Sequence, residues 1–326
     1  MANRWGMTIP LSGVPLADHA GVYQALAEAG FTDLWSSEVA GTDAFTPLAL
    51  ASAWAPRLRL GTAVAPVFTR GPGLLAMTAA ALAEAAPGRF QLGIGASSPV
   101  VVNDWNAAEF TEPYARSRDM LRFLKSALAG ELVDQEYETF AIRRFRLERP
   151  PSDPPEILLA ALRPGMLRLA ATEADGVILN WLAATDVATT LAETSSAPSG
   201  FEVAARIFVC PTDDDAYART IGRRLIAAYL TVPAYAAFHR WLGRTDELTP
   251  MWQAWSAGNR KAAVAAIPDE VVDALVIHGT PDACRTQVEA YVTAGVTVPV
   301  MALLPTPELD NGGAPALPKL LTALGR

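Results

Sequence analysis

Along its first half the chain alternates short apolar runs with longer amphipathic ones at intervals of roughly 25–30 residues, the spacing of βαβ units. "RWGMTIPL" reads as a first strand. In "LADHAGVYQALAEAG", Val22, Leu26 and Ala29 recur at helical spacing with Tyr23 beside them, and Gly30 stands where a C-cap belongs. "DLWSSEV", "RLRLGTAV" and "RFQLGIGAS" follow as strands two to four. "AFTPLALASAWAP" and the alanine-rich "GPGLLAMTAAALAEAAPG" are the helices between them. A helix from Pro113 to Gly130 carries Arg116, Arg118, Asp119, Arg122 and Lys125 on one face. The polar, aromatic stretch at about 131–155 is read as an insertion within one domain, because "EILLAAL" resumes the strand pattern at once. "RPGMLRLAATEA" is the next helix, and "DGVILNW" and "FEVAARIFVC" are strands six and seven. A long helical region then continues to about residue 295, with its insertion at about 213–279. "GVTVPVMALLP" closes as strand eight, with a last helix near "APALPKLLTAL". The pattern predicts an α/β fold, a (β/α)8 TIM barrel over residues 1–326 with a helical insertion before the last strand. An open doubly wound sheet is the alternative.

Composition narrows the function classes. The chain has 326 residues, 51% of them hydrophobic, enough for a large core. With 26 basic and 34 acidic side chains its formal charge is -8, which attracts no phosphate backbone, so no nucleic-acid partner is expected. No uncharged apolar run reaches the roughly 20 residues that cross a bilayer, so no membrane role is expected. The N-terminal apolar stretch is broken by Pro10, Gly13 and Pro15 and reads as a strand, not a signal peptide. Cys210 and Cys284 lack CxxC spacing, and their simplest reading is a reducing, cytoplasmic compartment.

Candidate chemistry is sparse. His19, His239 and His278 lack the spacing of a zinc site and read as packing or surface, and no metal site is expected. "GIGASS" from Gly93 has half of a dinucleotide fingerprint, with Ser98 in place of the third glycine. It is either a tight turn off a strand or a backbone that a ligand approaches. "AALRPGM", residues 160–166, joins a strand to a helix, so its free N–H groups and Arg163 offer either a phosphate site or a plain helix start. Asp213 to Asp215 read as capping of the helix that follows. Trp35, Trp105 and Trp181 lie at or near strand ends, where they could wall a planar ligand or simply fill the core. In "LGTAVAPVFTRGP", Pro66 ends the strand two residues after Val64, and Pro72 starts the next helix. The apolar walls suggest a substrate that is not strongly charged.

The stretches "GFTDLWSSEVAG", "LRLGTAVAPVFTRGP", "GRFQLGIGASSP", "AALRPGMLRLAATEADGVILNW" and "HGTPDACRTQVEAYVTAGVTVPV" occur in an order that resembles the luciferase-like monooxygenase superfamily, in its coenzyme F420-dependent branch. The resemblance runs from Gly30 to about Val300. It implies an oxidoreductase that passes a hydride between the deazaflavin of F420 and an unidentified small organic substrate. It also implies a non-proline cis bond at Ala63–Val64 behind the ring, with Ala65 following, and contacts from Glu38, Ser97 and Ser98. Ala161, Leu162, Arg163, Gly165 and Met166 match the phosphate loop. Glu38 is the candidate catalytic group, with Asp43 as a second proton donor or acceptor, and Arg70 is either a loop anchor or a contact to an anionic cofactor tail. A sugar-phosphate dehydrogenase of the family carries a histidine and a glutamate where this chain has Val39 and Ser98, so that substrate is not implied. Two alternatives stay open: an FMN-dependent monooxygenase of the same fold, and a barrel that binds flavin or F420 without turnover. Family habit suggests a homodimer.

Overall fold

The computed structural model describes residues 4–307 and 316–326. Eight parallel strands close into a barrel. In chain order they are β1 (Gly6–Ile9), β2 (Asp33–Ser36), β3 (Arg59–Thr62) continued by β4 (Ala65–Pro66), β5 (Phe90–Gly95), β8 (Glu156–Ala160), β9 (Gly176–Asn180), β10 (Glu202–Cys210) and β12 (Val298–Leu303). β10 pairs with β9 on one side and β12 on the other, and β12 pairs with β1, which completes the ring. The middles of the strands are largely apolar on both faces because one face packs inward and the other meets a helix. This double burial is why the strands read as apolar runs, with polar residues mainly at their ends.

The crossover helices are α1 (His19–Glu28), α2 (Thr46–Trp54), α3 (Pro72–Ala85), α4 (Pro113–Leu128), α5 (Pro164–Glu173) and α6 (Val187–Ala192). The 131–155 insertion is an antiparallel hairpin of β6 (Val133–Glu136) and β7 (Ala141–Phe145). It docks on α4 through Phe140 and Phe145, whose rings lie 6.3 and 5.6 Å from that of Phe123. The second insertion folds as α7 (Asp215–Tyr229), α8 (Pro233–Trp241), α9 (Thr245–Ser256), α10 (Arg260–Ala265) and α11 (Asp269–Leu275). These helices enclose their own apolar cluster, which includes Ile226, Leu248, Met251 and Val272 and reaches Trp181 and Phe208. Asp214 caps α7 by accepting the Tyr217 N–H at 2.9 Å.

The helical region expected to continue to about residue 295 is interrupted by a strand, which corrects that expectation. Val276–His278 form a short strand, β11, on the edge of β10 past the end of its pairing with β9. A three-residue strand has too few positions to show an alternation of period two. α12 (Pro281–Thr293) then leads to β12, and the C-terminal helix Leu317–Leu324 packs on α1 and α12. The Ala314 and Pro315 of its expected start lie outside the described residues.

At the N-terminal end of the barrel, Arg4 pairs with Asp33 and Glu202 and donates to Gln91 at 2.8 Å. Gln91 in turn donates to Glu156 at 2.6 Å and Glu202 at 3.0 Å. This network faces away from the strand C-termini, the end at which TIM barrels carry their chemistry. Among the described residues no helix is long and apolar enough to cross a membrane.

Candidate functional site

The strand order β2, β3, β5, β8 sets the sequence-predicted residues on neighbouring C-terminal strand ends. Glu38 follows β2 and does not stand free. Its Oε2 accepts from Arg70 Nη2 at 2.7 Å, Arg70 Nε at 3.2 Å and the Ala44 N–H at 3.0 Å. Oε1 accepts from Arg70 Nε at 3.3 Å and Thr69 Oγ1 at 3.4 Å. Both carboxylate oxygens are therefore committed to protein donors. Arg70 also lies 3.6 Å from Asp43 and 4.8 Å from the centre of the Phe45 ring. It anchors the loop after β2 to the start of α3. Burial works to raise the Asp43 carboxyl, but the Thr46 side chain, the Thr46 and Phe45 N–H groups and Arg70 hold it below the usual range. Val39 is solvent-exposed beside this pair.

Between β3 and β4 the chain leaves its ladder. β3 pairs with β5 at Leu60 and Gly61, and β4 resumes at Ala65 and Pro66, opposite Ile94 and Gly95. The Ala63–Val64 peptide bond in this gap is cis. Thr62 Oγ1 stitches the gap by donating to the Gly93 carbonyl at 2.7 Å and accepting its N–H at 2.8 Å. A Cβ on Gly93 would overlap the Thr62 carbonyl and the Ile178 side chain, and one on Gly95 would come within 2.9 Å of Ala160 and 3.0 Å of Val64. The GxG of "GIGASS" thus serves the close packing of strands. The first glycine admits the β3 backbone and the second admits Val64. Just beyond β5, Ser97 adopts a positive φ of 65°, and Ser98 accepts the Val101 N–H at 3.4 Å.

After β8 the chain turns into α5. Ala161 is buried and its N–H donates to the Ile178 carbonyl at 3.1 Å, which pins the turn. Leu162 and Met166 are half-buried and Arg163 and Gly165 are exposed. No side chain caps α5, Pro164 occupies its first turn, and a Cβ on Gly165 would meet nothing within 4 Å. The helix start therefore presents uncapped backbone donors beside open space, which suits an anionic group.

The far side of the mouth holds residues that the sequence reading passed over. Asn180 ends β9 and registers with Arg206 on β10. Asn180 Nδ2 donates to the Tyr235 hydroxyl of α8 at 3.0 Å. Trp181, buried and with φ 55°, stacks on Phe208 with ring centres 4.0 Å apart, and Tyr229 lies 5.2 Å from Trp181. One signal was available in the sequence. Asn180 and Arg206 are polar residues within otherwise apolar strands, two positions on from inner-face Ile178 and Ala204. Trp35 is buried in the barrel against Gly61, and Trp105 is more than half exposed.

Of the histidines, only His239 reaches these strand ends, at the Trp181 backbone. His19 takes the Leu11 N–H at 2.9 Å and faces the Pro15 carbonyl at 3.0 Å, holding the turn before α1. His278 sits between Asp273 and Asp215, and His239 is a buried residue of α8 itself. Among the described residues no group of acidic, histidine and cysteine side chains could hold a metal ion. Cavities of about 190 Å³ beside Thr212 and Thr280, and of about 470 Å³ between α3 and β7, contain none of the candidate residues.

Fold and site together define a (β/α)8 barrel whose candidate chemistry lies on its C-terminal face. The sequence profile described as luciferase-like monooxygenase matches residues 3–298, and the chain belongs to that family. A Mycobacterium tuberculosis (strain ATCC 25618 / H37Rv) protein provisionally named as a coenzyme F420-dependent oxidoreductase is 30% identical over 322 residues, covering 88% of this chain and 91% of its own. The 5,10-methylenetetrahydromethanopterin reductase of Methanolobus tindarius is 24% identical over 285 residues, covering 84% and 87%. Among solved structures, the coenzyme F420 dependent tetrahydromethanopterin reductase of Methanopyrus kandleri superposes with a TM-score of 0.79 at 19% identity, covering 100% of this chain and 98% of its own. That likeness is one of fold.

Proposed function

We propose that this chain is an F420-dependent oxidoreductase acting on a small organic substrate at the C-terminal mouth of the barrel. The observation that carries the reading is the uncapped start of α5 beside open space at Gly165, at the end of β8, which is separated by β5 alone from the interrupted β3–β4 segment. The residues present fit the cofactor. The Gly165 and Met166 N–H groups would hold its phosphate, with Arg163 adding charge, while Ala63, Val64 and Ala65 would back the ring. Ser97 and Ser98 would border the ring from the end of β5. When bound, F420 supplies a hydride donor or acceptor. Glu38 lines the same mouth, and proton exchange there requires Arg70 to release Oε2. The provisional F420-dependent name of the mycobacterial relative, matched over most of both chains, supports the same reading.

In this reading residues 1–326 form one barrel unit with insertions at about 131–155 and 213–279. The unit works as a homodimer, supported by exposed Leu74 and Met77 on α3, and the buried Cys210 and Cys284 support a cytoplasmic place. Titration of the purified protein with F420 and with FMN, followed by cofactor fluorescence, tests the cofactor. Submicromolar binding of F420 with weaker FMN is the expected result. Tight FMN binding with none of F420 favours the monooxygenase reading, and binding of neither overturns both.

A further inference from the structure

β10 carries into the barrel a cation that nothing above uses. Ala204 belongs to the inner cluster with Trp35, Leu158, Ile178, Val298 and Val300. Strand alternation sets Arg206 on the same inner face, one layer nearer the mouth, level with Asn180 on β9 and Val300 on β12. Its guanidinium lies 4.9 Å from the centre of the Phe208 ring. Its Nε is shielded from solvent and meets no acceptor, and among the described residues no carboxylate pairs with it. Arg4, Arg70 and Arg244 each meet a carboxylate, Asp33, Glu38 and Asp186, while Arg89 and Arg116, which meet none, donate to the backbone carbonyls of Leu58 and Val67. Asn180 Oδ1, beside Arg206, is likewise buried without a partner.

Tyr235 offers Arg206 no counter-charge. Burial, against the lesser pull of Asn180 and Arg206, pushes its hydroxyl up to about 12 and keeps it neutral. A guanidinium cannot shed its charge, so one held against the Phe208 ring without a counter-ion suits a ligand that brings the opposite charge. One fork-shaped cation with one amide matches a planar monoanion held by two parallel hydrogen bonds, whereas a phosphate dianion would leave negative charge uncompensated. Tyr229, Phe208 and Trp181 add an apolar wall beside it.

We propose that Arg206 is a specificity-determining residue whose guanidinium pairs with a carboxylate of the substrate, with Asn180, positioned by Tyr235, donating its second Nδ2 hydrogen to the same carboxylate and leaving Oδ1 to accept from a donor elsewhere on the substrate. The substrate is then a carboxylic acid with an apolar body lying against Tyr229 and Phe208. This deepens the oxidoreductase reading and rests on it for the place of the reacting group. It also replaces the expectation of a weakly charged substrate, because the walls are apolar but the base of the mouth is not.

Calorimetric titration with acetate, benzoate and 2-naphthoate, each against its methyl ester, and with phenylphosphate, tests the proposal with and without F420. At least one acid is expected to bind tenfold or more tightly than its ester and than phenylphosphate. Arg206→Met should lose that preference, and Arg206→Lys should keep part of it, with F420 affinity unchanged in both. Asn180→Asp provides a folded control, since an internal carboxylate beside Arg206 should abolish acid binding while raising the melting temperature. No acid preference at any ligand size, a preference for phenylphosphate, or undiminished acid binding in Arg206→Met or Asn180→Asp overturns it. A tenfold loss of F420 affinity in Arg206→Met assigns the guanidinium to the cofactor and also overturns it. Wild-type protein that prefers the acid yet binds no F420 refutes the cofactor reading and leaves the carboxylate site standing.

Discussion

Arg70 grips Glu38 through two nitrogens, Nη2 at 2.7 Å and Nε at 3.2 Å from Oε2, and so ties the loop after β2 to the segment that opens α3. The two side chains are only 18% and 17% exposed, so neither is fully resolvated when its partner is lost. Glu38→Gln is expected to cost about 1–2 kcal/mol in urea unfolding, the range of a partly buried charged hydrogen bond. Arg70→Met should cost a similar amount. The double variant should lose less than the sum of the two, because the residues act as one pair. Additive losses would mean that the contact contributes nothing.

Gly93→Ala is the sharpest test of the β3–β5 seam. The new methyl would strike the Thr62 carbonyl, which is backbone and can move only by opening the ladder. A loss of about 3 kcal/mol or more, or failure to fold, is expected. Gly165→Ala is the contrasting change. Space is open there, so stability should hold while F420 affinity falls if the α5 start receives the phosphate. Thermal melts and fluorescence titration of the two variants separate the roles.

His239 makes the fold acid-sensitive. Burial, reinforced by Arg244, pulls its imidazole from the ordinary 6.5 down to about 3. The unfolded chain therefore takes up a proton first as pH falls. The stabilising contribution is complete above pH 6.5 and is lost as pH drops towards 3, by up to about 1.4 kcal/mol per pH unit. His239→Gln should flatten the stability profile over this window by about one proton. An unchanged slope would refute the assignment.

Arg4→Met should destabilise strongly and leave the mouth alone. It would leave Asp33, 1% exposed, with only Arg59 at 4.0 Å and the Thr32 hydroxyl at 2.6 Å against the nearby Glu202, at an expected cost of about 3 kcal/mol. Burial already raises the Glu202 carboxyl, against the pull of Arg4 and Gln91. Without Arg4 that carboxylate is less favoured still. Its penalty applies above the raised value and is relieved as pH falls through it, so part of the loss should be recovered in acid. Affinity for F420 should stay within about twofold, because the network lies at the opposite end of the barrel from the strand C-termini.

The barrel was legible because its strands are buried on both faces and its helices on one, so run length and period separate them. β6 and β7 were not, since "VDQE" and "AIRRF" are largely exposed and turn only Val133, Ile142 and Phe145 inward, too few to set a period. β11 was hidden by its length and by the helices flanking it. For the site, the end of β8 was legible from Pro164 and Gly165, residues whose backbone limits act locally, whereas Pro66, read as ending the strand, lies in β4 and registers with Gly95, the ladder having broken earlier, after Thr62. "GIGASS" was ambiguous. The contacts that decide it come from Thr62 and Ala160, which are remote in sequence. The Asn180–Tyr235 bond spans 55 residues, across an insertion whose packing no local pattern reveals.

The sequence by itself determined the ring of strands, the helices between them and which residues stand at the strand ends, because hydrophobic period and backbone limits act over a few residues. Only the tertiary structure decided which charges are matched. Arg70 meets Glu38, while Arg206 is left without a carboxylate among the described residues. Charge pairing follows distance in space and access to water. Barrel closure sets both by joining strands far apart in the chain.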